Sequence, residues 1–325
     1  MNSASAANRR AGGESGISAE VTVVIVSYNT CALTLKALET LFAHAGDIAM
    51  RVIVWDNASE DGSAEAIAQK FPQVELVAHD ENIGFARANN AVAERVKSEW
   101  LLLLNPDTET QDAAIAKLVA FGIANPRAGI FGGRTVFPDG SLNMASCWNR
   151  ITPWSQFCSA VGLTRLFPRS CIFNPEAIGC WRRDSEREVD IVVGCFFLIR
   201  TDLWRELGGF DPRYFMYGEE ADLCLRARKR GYRPMITPDA QIMHLVGAST
   251  PLQYRKKISV MRARSTLIRD HWHPALRPLG IALAWLWAAN RMAAFSLLAV
   301  IPHYRTAKAG FAEVWRERGS WLAGY

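Results

Sequence analysis

Four apolar runs separated by amphipathic segments constrain most strongly what this chain can fold into. The first run reads VTVVIV at residues 21–26, and a continuous β-branched run of this length is typical of a parallel strand covered on both faces. Similar runs predict further strands at residues 50–55, 74–78 and 100–104. The segments between them predict helices at residues 30–45, 63–70 and 82–95. This alternation predicts a doubly wound α/β sheet.

Polar residues follow three of these predicted strands at the point where each strand ends. They are Ser27, Tyr28 and Asn29 after the first strand, Asp56 and Asn57 after the second, and Asn105, Pro106 and Asp107 after the fourth. In doubly wound sheets, ligands bind outside the carboxyl ends of the strands. The sequence therefore predicts one ligand-binding rim.

The rest of the chain predicts fewer regular elements. Helices are predicted at residues 112–125 and 217–230, and strands near Gly129, at residues 189–200 and at residues 233–236. Residues 138–188 form an irregular excursion without an interpretable pattern, and the chain after residue 250 is helical.

Two rim carboxylates each allow two interpretations. Asp107 follows a leucine-rich strand and a proline, and it can bind a hard divalent cation through oxygen or cap the next helix. Asp56 can accept hydrogen bonds from a base or ribose, or it can cap the helix that begins near Ser63. The sequence leaves both pairs of alternatives open.

The segment NIGFARANN at residues 82–90 is a weak phosphate-binding signal. Asn82, Gly84 and Arg87 lie close to a predicted helix start, where amide groups and a cation favour phosphate. The chain has neither GxGxxG nor GxxxxGK[ST], so the sequence does not support a Rossmann cofactor site or a P-loop.

An acidic cluster at the start of a predicted helix is the densest chemical signal. Glu219, Glu220 and Asp222 lie within four residues of one another, after a loop with three aromatic residues. The helix dipole stabilises acidic side chains there, but crowded carboxylates also raise each other's pKa toward values useful for a general base. His244 belongs to no metal-binding pattern in the sequence, and an isolated histidine is more often structural than a metal ligand.

The motifs VSYN, WDNAS, NIGFARANN, LNPD, GGFDPRYFMYGEEADLCLR and HLVGAS, taken as a set, resemble glycosyltransferase family 2, most closely its rhamnosyltransferase-like branch. The resemblance covers residues 21–249. It implies a GT-A fold with a mixed sheet at residues 21–250, a donor half at about 21–110 and an acceptor half at about 111–250. A disordered leader at residues 1–20 and a helical tail at residues 251–325 complete the expected organisation.

The resemblance also implies roles for single residues. Tyr28 and Asp56 would bracket the nucleobase, and the neighbouring Ser27 and Asn29 would also belong to the donor-binding residues. Asn82, Gly84 and Arg87 would lie near the donor. Asn105 and Asp107 occupy the first and third places of the family's DxD motif. Asn105 departs from the usual Asp, so Asp107 is the expected Mg²⁺ or Mn²⁺ ligand, with His244 completing the coordination.

The Glu219–Glu220 pair occupies the position commonly written ED. It makes Glu220 the expected base, with Glu219 and Asp222 as alternatives. The expected reaction is inverting transfer from dTDP-rhamnose or a UDP-sugar to a glycan or polyprenyl-linked acceptor, in polysaccharide synthesis.

Charge is distributed unevenly along the chain. Residues 251–325 carry twelve Lys or Arg against three acidic residues, a net charge of +9. Because the whole chain has a net charge of +5, residues 1–250 have a net charge of about −4. The apolar stretch at residues 279–301 is interrupted by Asn290 and Arg291, which favours an interfacial helix over a spanning one. It can equally pack on the catalytic domain or on a dimer partner. Given a transferase, we expect the tail to contact the membrane rather than nucleic acid.

The seven cysteines show no CxxC spacing, and the opening segment lacks an apolar signal sequence. We therefore expect reduced thiols in a cytoplasmic protein, peripheral on the inner face of the cell membrane. Two other functions remain open. The chain can be a catalytically silent nucleotide-sugar-binding module, or a nicotinamide-dependent oxidoreductase, which the missing glycine fingerprint disfavours.

Overall fold

A computed structural model describes residues 20–245 and 253–325. Of the expected leader, only Glu20 is described, and it begins the first strand. Residues 246–249, the end of the HLVGAS motif, lie outside the described residues.

The described residues form a mixed α/β structure followed by a helical tail. The strands are β1 Glu20–Ser27, β2 Ala49–Asn57, β3 Glu75–His79, β4 Trp100–Leu104, β5 Thr108–Thr110, β6 Ile130–Val136, β7 Leu142–Asn143, β8 Cys147–Trp148, β9 Arg187–Glu188, β10 Ile191–Val192, β11 Phe196–Arg200 and β12 Met235–His244. The helices are α1 Cys31–Ala43, α2 Ser63–Lys70, α3 Phe85–Ala93, α4 Ala114–Ala124, α5 Pro153–Ala160, α6 Leu163–Leu166, α7 Thr201–Leu207, α8 Glu219–Lys229, α9 Gln253–His271, α10 Arg277–Leu298, α11 Arg305–Arg316 and α12 Arg318–Ala323.

The main sheet has the strand order β3-β2-β1-β4-β11-β6-β12-β5. Strands β3, β2, β1 and β4 are parallel, β11 runs antiparallel to both β4 and β6, and β12 is parallel to β6. Every residue of β4 is buried, because separate hydrophobic clusters cover the two faces of the sheet. The predicted mixed, doubly wound sheet is confirmed.

Two strand predictions were wrong in extent. Residues 189–200 form two short strands instead of one: β10 pairs with β8 in a separate sheet, whereas β11 enters the main sheet between β4 and β6. The break falls at Val193 and Gly194. The strand predicted at residues 233–236 continues to His244, because β6 and β5 pair with it on its two sides, with an irregularity between Thr237 and Gln241.

The helical tail packs against the α/β part of the chain and has a small core of its own around Ala284, Phe311 and Trp321. Helix α10 runs unbroken through Asn290 and Arg291, because both side chains donate to carbonyl groups at the end of α5. Among the described residues, one helix, Pro274–Leu298, is long and apolar enough to cross a membrane by length and composition alone.

The expectation that all thiols are reduced was wrong for Cys171 and Cys180, which form a disulfide in the excursion. The turns between them bring their Cα atoms to 5.2 Å, a separation that a disulfide can bridge. The other five cysteines are free.

Candidate active site

A cavity of about 510 Å³ opens at the carboxyl ends of the parallel strands. Strand ends form one side of it, and the start of α8 and one face of α9 form the other. The predicted site residues that line the cavity are Tyr28, Asn82, Asn105, Asp107, Glu219, Glu220 and His244. Residues up to 216 positions apart in sequence therefore share one volume, although only Tyr28, Asn105 and Asp107 of these belong to the predicted rim.

Asp107 and His244 form a buried pair at the floor of this cavity. Asp107 lies in the turn between β4 and β5, and the pairing of β5 with β12 brings His244 beside it. The two side chains are 4% and 6% exposed, and His244 Nε2 lies 3.3 Å from Asp107 Oδ1. The backbone N–H of Leu245 donates to the carbonyl of Asp107, which fixes the two segments together.

The electrostatics of His244 are unusual for a buried imidazole. Burial opposes its protonation, but the Cys195 thiol and the Asp107 carboxylate together raise the pKa of His244 to about 10. Its Nδ1 is buried and has no hydrogen-bond partner among the described residues.

These side chains fit a divalent cation site that substrate completes. Asp107 supplies a carboxylate, His244 supplies an imidazole once it loses its proton, and the Asn105 amide lines the same cavity. No group of three or more His, Cys, Asp or Glu side chains with metal-site geometry occurs at residues 20–245 and 253–325. Cations such as Mg²⁺ take several oxygen ligands, so substrate phosphates would provide the others.

The two glutamates at the start of α8 face the same cavity from the opposite side. Gly218 adopts a left-handed conformation before the helix, and a Cβ there would lie 2.7 Å from the Cβ of Ala263. This close approach to α9 fixes the direction in which Glu219 and Glu220 point.

Glu219 and Glu220 differ in their surroundings. Glu219 is buried, and its Oε2 has no hydrogen-bond partner in the described part of the chain. Burial and the neighbouring Glu220 carboxylate raise the pKa of Glu219 well above its ordinary value. Glu220 is half-buried and accepts a hydrogen bond from the Gly218 N–H at 3.2 Å, and burial raises its pKa as well. Glu220 is therefore the carboxylate with better access to a ligand.

Asp222 does not line the cavity. Its two carboxylate oxygens bind Arg226 Nε at 2.7 Å and His271 Nε2 at 2.8 Å. Burial alone would raise the pKa of Asp222, but these hydrogen bonds hold it below its usual range. The alternative of Asp222 as the base is therefore not supported: it ties α8 to α9.

The predicted base-binding residues divide into two groups. Tyr28 lines the cavity and is half exposed, and Asp56 carries a buried Oδ1 that no described group binds, while its Oδ2 accepts from the Ser59 N–H. Ser27 and Asn29 are instead occupied within the protein. Ser27 bonds to threonine hydroxyls of the first helix, and Asn29 bonds across to the loop after β2.

The NIGFARANN segment is positioned by one asparagine. Asn82 Oδ1 accepts from Asn57 Nδ2 at 2.8 Å and from the Gly84 N–H at 3.0 Å. Gly84 has φ +83°, and a Cβ there would meet the Phe215 carbonyl at 2.5 Å. Arg87 is exposed, bonds to the Pro212 carbonyl and is not among the cavity-lining residues. The structure does not place its guanidinium with the other predicted donor residues, because the side chain leaves α3 on the outer face.

Sequence reasoning missed the cavity wall that α9 provides. Lys256 and Arg264 line the cavity from this helix, together with apolar residues between them. Arg264 forms a two-point ion pair with Glu176 of the excursion, and Lys256 Nζ lies 5.5 Å from the centre of the Tyr217 ring. The high density of Lys and Arg in α9 was visible, but we assigned it to an appendage.

A family model described as Glycosyl transferase family 2 matches residues 22–207. The N-acetylglucosaminyl-diphospho-decaprenol L-rhamnosyltransferase of Mycobacterium tuberculosis (strain H37Rv) is 28% identical over 252 residues, 70% of this chain and 76% of its own length. Rhamnosyltransferase WbbL of Escherichia coli K12 is 26% identical over 236 residues, 69% of this chain and 83% of its own length.

The fold also has relatives among solved structures. The mannosyltransferase PcManGT from Pyrobaculum calidifontis, solved in complex with GDP-Man and Mn²⁺, superposes with a TM-score of 0.56 at 18% identity, over 94% of this chain and 86% of that one. This likeness confirms the GT-A fold, and membership of the family disfavours the oxidoreductase alternative. Because the family model covers more than half of the residues, the chain belongs to glycosyltransferase family 2 and is a glycosyltransferase.

Proposed function

We propose that this chain is a metal-dependent, inverting glycosyltransferase. It moves a sugar from a nucleoside-diphosphate donor to a hydroxyl of a glycan or polyprenyl-linked acceptor in polysaccharide synthesis. The observation that carries the proposal is the convergence of the Asp107–His244 pair and the Glu219–Glu220 pair on one cavity. A cation site and a general base on opposite sides of a volume are what transfer from a diphosphate leaving group requires.

The donor would lie along the strand ends. Tyr28 offers its exposed ring to the base. Asp56 is buried and does not line the cavity, but its Oδ1 has no described partner, which supports a hydrogen bond from a base N–H once the donor is bound. Asp107, His244 and Asn105 would hold Mg²⁺ or Mn²⁺. When bound, the cation neutralises the charge that grows on the leaving nucleoside diphosphate.

Glu220 would act on the acceptor. Its carboxylate takes the proton from the acceptor hydroxyl, whose oxygen then attacks the anomeric carbon on the face opposite the leaving group. One displacement of this kind inverts the configuration. Burial raises the pKa of Glu220, which makes it a stronger base than an exposed glutamate. Burial and the neighbouring Glu220 carboxylate raise the pKa of Glu219 well above its ordinary value, and its buried side chain has poorer access to an acceptor than Glu220.

The donor sugar proposed first is rhamnose, because two relatives carry names of rhamnosyltransferases. One of those names specifies a diphospho-decaprenol acceptor. A polyprenyl diphosphate acceptor would lie in the membrane, which supports the proposal that the enzyme works at the inner face of the cell membrane. The basic tail, with its long apolar helix, supports peripheral contact there.

Incubation with dTDP-rhamnose or UDP-sugars, with Mg²⁺ or Mn²⁺, tests this function. We expect transfer to a soluble acceptor analogue, with an inverted anomeric centre by NMR, and loss of transfer with chelator. Nucleotide-sugar binding with neither transfer nor slow donor hydrolysis would instead support the catalytically silent module. A product with retained configuration would refute the single displacement.

A further inference from the structure

The excursion carries an exposed apolar surface outside the active-site cavity. We call it the aromatic edge. It consists of the exposed side chains of Trp154, Phe157, Val161, Leu166, Phe167 and Ile172, in α5, α6 and the adjoining turns. Its rings form a continuous series, since Trp154 contacts Phe157 and Phe173, and Phe173 contacts Phe167, with centroids 5.1–6.4 Å apart. A contiguous exposed patch of this kind marks an interaction surface.

The aromatic edge is held in place by specific contacts. Trp154 Nε1 donates to the Ile172 carbonyl at 2.7 Å, and Thr164 Oγ1 donates to the Phe173 carbonyl at 3.1 Å. The Cys171–Cys180 disulfide ties the end of the segment to the following turns. Water-exposed apolar groups are therefore fixed outward instead of collapsing into the core.

The charged side chains within the aromatic edge are all positive. Residues 151–175 contain two arginines, Arg165 and Arg169, and no acidic residue. No described carboxylate lies within ion-pair distance of either. Arg291 of α10 donates to the Ser159 carbonyl beside them, and burial and then the charge of Arg165 lower its pKa to about 10.

The aromatic edge also adjoins the side of the cavity opposite the strand ends. Ile151 precedes the residues of the aromatic edge in the chain, and Glu176 follows them. Both line the cavity. Glu176 also binds Arg264 of α9, so the segment is anchored to the cavity wall at both ends.

We propose that the aromatic edge is a docking surface for an anionic lipid bilayer. The aromatic and aliphatic side chains enter the interfacial region, and the arginines meet lipid phosphates. Aromatic rings combined with basic residues suit this interface. One part of the inference rests on the proposed function: with the aromatic edge docked, a lipid-linked acceptor would reach the cavity from the bilayer. A second copy of the chain fits less well, because two such edges would oppose arginines without carboxylates to pair with them.

Vesicle co-sedimentation without substrates tests this proposal on the full chain. The probes are vesicles of phosphatidylcholine alone and of phosphatidylcholine mixed with phosphatidylglycerol. The test variant is Leu166→Ser with Ile172→Ser, at side chains 71% and 65% exposed, where truncation removes little packing. The matched control is Ile123→Ser, 51% exposed on α4, which packs on the opposite face of the sheet.

Wild type should bind the anionic vesicles more tightly than the neutral ones. The aromatic-edge variant should lose at least about tenfold in partitioning, because apolar area and charge both drive interfacial binding. The variant Arg165→Gln with Arg169→Gln should partition about 25-fold less onto anionic vesicles, since each basic residue contributes about fivefold. Its partitioning onto neutral vesicles should not change. The Ile123 control should bind as wild type does.

Three outcomes would overturn the proposal: no binding by wild type, unchanged binding by the aromatic-edge variant, or a concentration-dependent dimer that this variant abolishes. Transfer to a water-soluble acceptor should stay unchanged in the aromatic-edge variant. If wild type transfers no sugar to any acceptor, the proposed function is refuted, but the vesicle-binding result is unaffected. Failure of the proposed function and failure of the docking proposal are therefore distinguishable.

Discussion

Replacement of Glu220 by glutamine isolates the chemical role of this side chain. Glutamine has nearly the same volume, and its amide oxygen can still accept the hydrogen bond that the Gly218 N–H donates to Glu220 at 3.2 Å. Since Glu220 forms no ion pair among the described residues, the fold should tolerate the change. What the variant loses is the ability to take a proton. General-base catalysis contributes about 10²- to 10⁴-fold, or about 3–5 kcal/mol of transition-state stabilisation.

The assay is transfer of labelled sugar to a soluble acceptor, with nucleotide affinity measured by calorimetry. We expect kcat to fall by about 10²-fold or more with nucleotide affinity unchanged. Glu219→Gln is the matched control. Since burial raises the pKa of Glu219 and so favours its neutral form, a neutral amide resembles it and most activity should remain. Transfer by Glu220→Gln within about threefold of wild type would refute the assignment.

The pH profile gives an independent check of the same residue. The raised pKa of Glu220 places its titration above the ordinary glutamate range. The base must be ionised, so wild-type kcat should fall as pH is lowered through that pKa. The residual activity of Glu220→Gln should lack this acidic limb. An identical limb in both proteins would show that another group titrates.

Three further predictions concern the cation site and the fold. Asp107→Asn should remove the Mg²⁺- or Mn²⁺-dependent part of nucleotide affinity in calorimetry, and unchanged affinity would contradict its role as a ligand. Gly84→Ala should lower the free energy of unfolding by at least about 2 kcal/mol in urea titrations, because φ is positive and the new methyl meets a carbonyl in the loop before α8. Asp222→Asn should cost about 3 kcal/mol at neutral pH, because it leaves Arg226 without its carboxylate. The folded-state pKa of Asp222 is lowered, so the difference in the free energy of unfolding between wild type and variant should be complete above the ordinary Asp pKa. It should disappear as pH falls through the folded-state pKa. A difference that does not change with pH would refute the ion-pair explanation.

The sequence predicted the sheet and its rim well, for a physical reason. Buried parallel strands need continuous apolar runs, and polar residues at their carboxyl ends then share one edge. The same reasoning brought Asp107 to the rim, and the family resemblance paired it with His244. The sequence could not show that Arg87 points away from the cavity or that Asp222 is hydrogen-bonded to His271. Both depend on side-chain direction and on partners distant in sequence.

The tail illustrates a second limit of sequence reasoning. Lys256 and Arg264 have no local pattern that distinguishes a cavity wall from a solvated helix face. Their position depends on the close contact between Gly218 and Ala263, which brings α9 against the start of α8. A glycine before an acidic cluster is common, so this packing had no signal of its own.

The α9 wall has a consequence for how members of this family are recognised. The family model ends at residue 207, whereas Glu220, His244 and the whole of α9 lie beyond it. A chain could therefore match the family over the same span and yet lack the proposed base and the side of the cavity that α9 forms here. We expect such a chain to bind a donor without transferring its sugar. Separating working transferases from inactive relatives thus requires inspection of α8 and α9, where this chain has both glutamates and an unbroken helix.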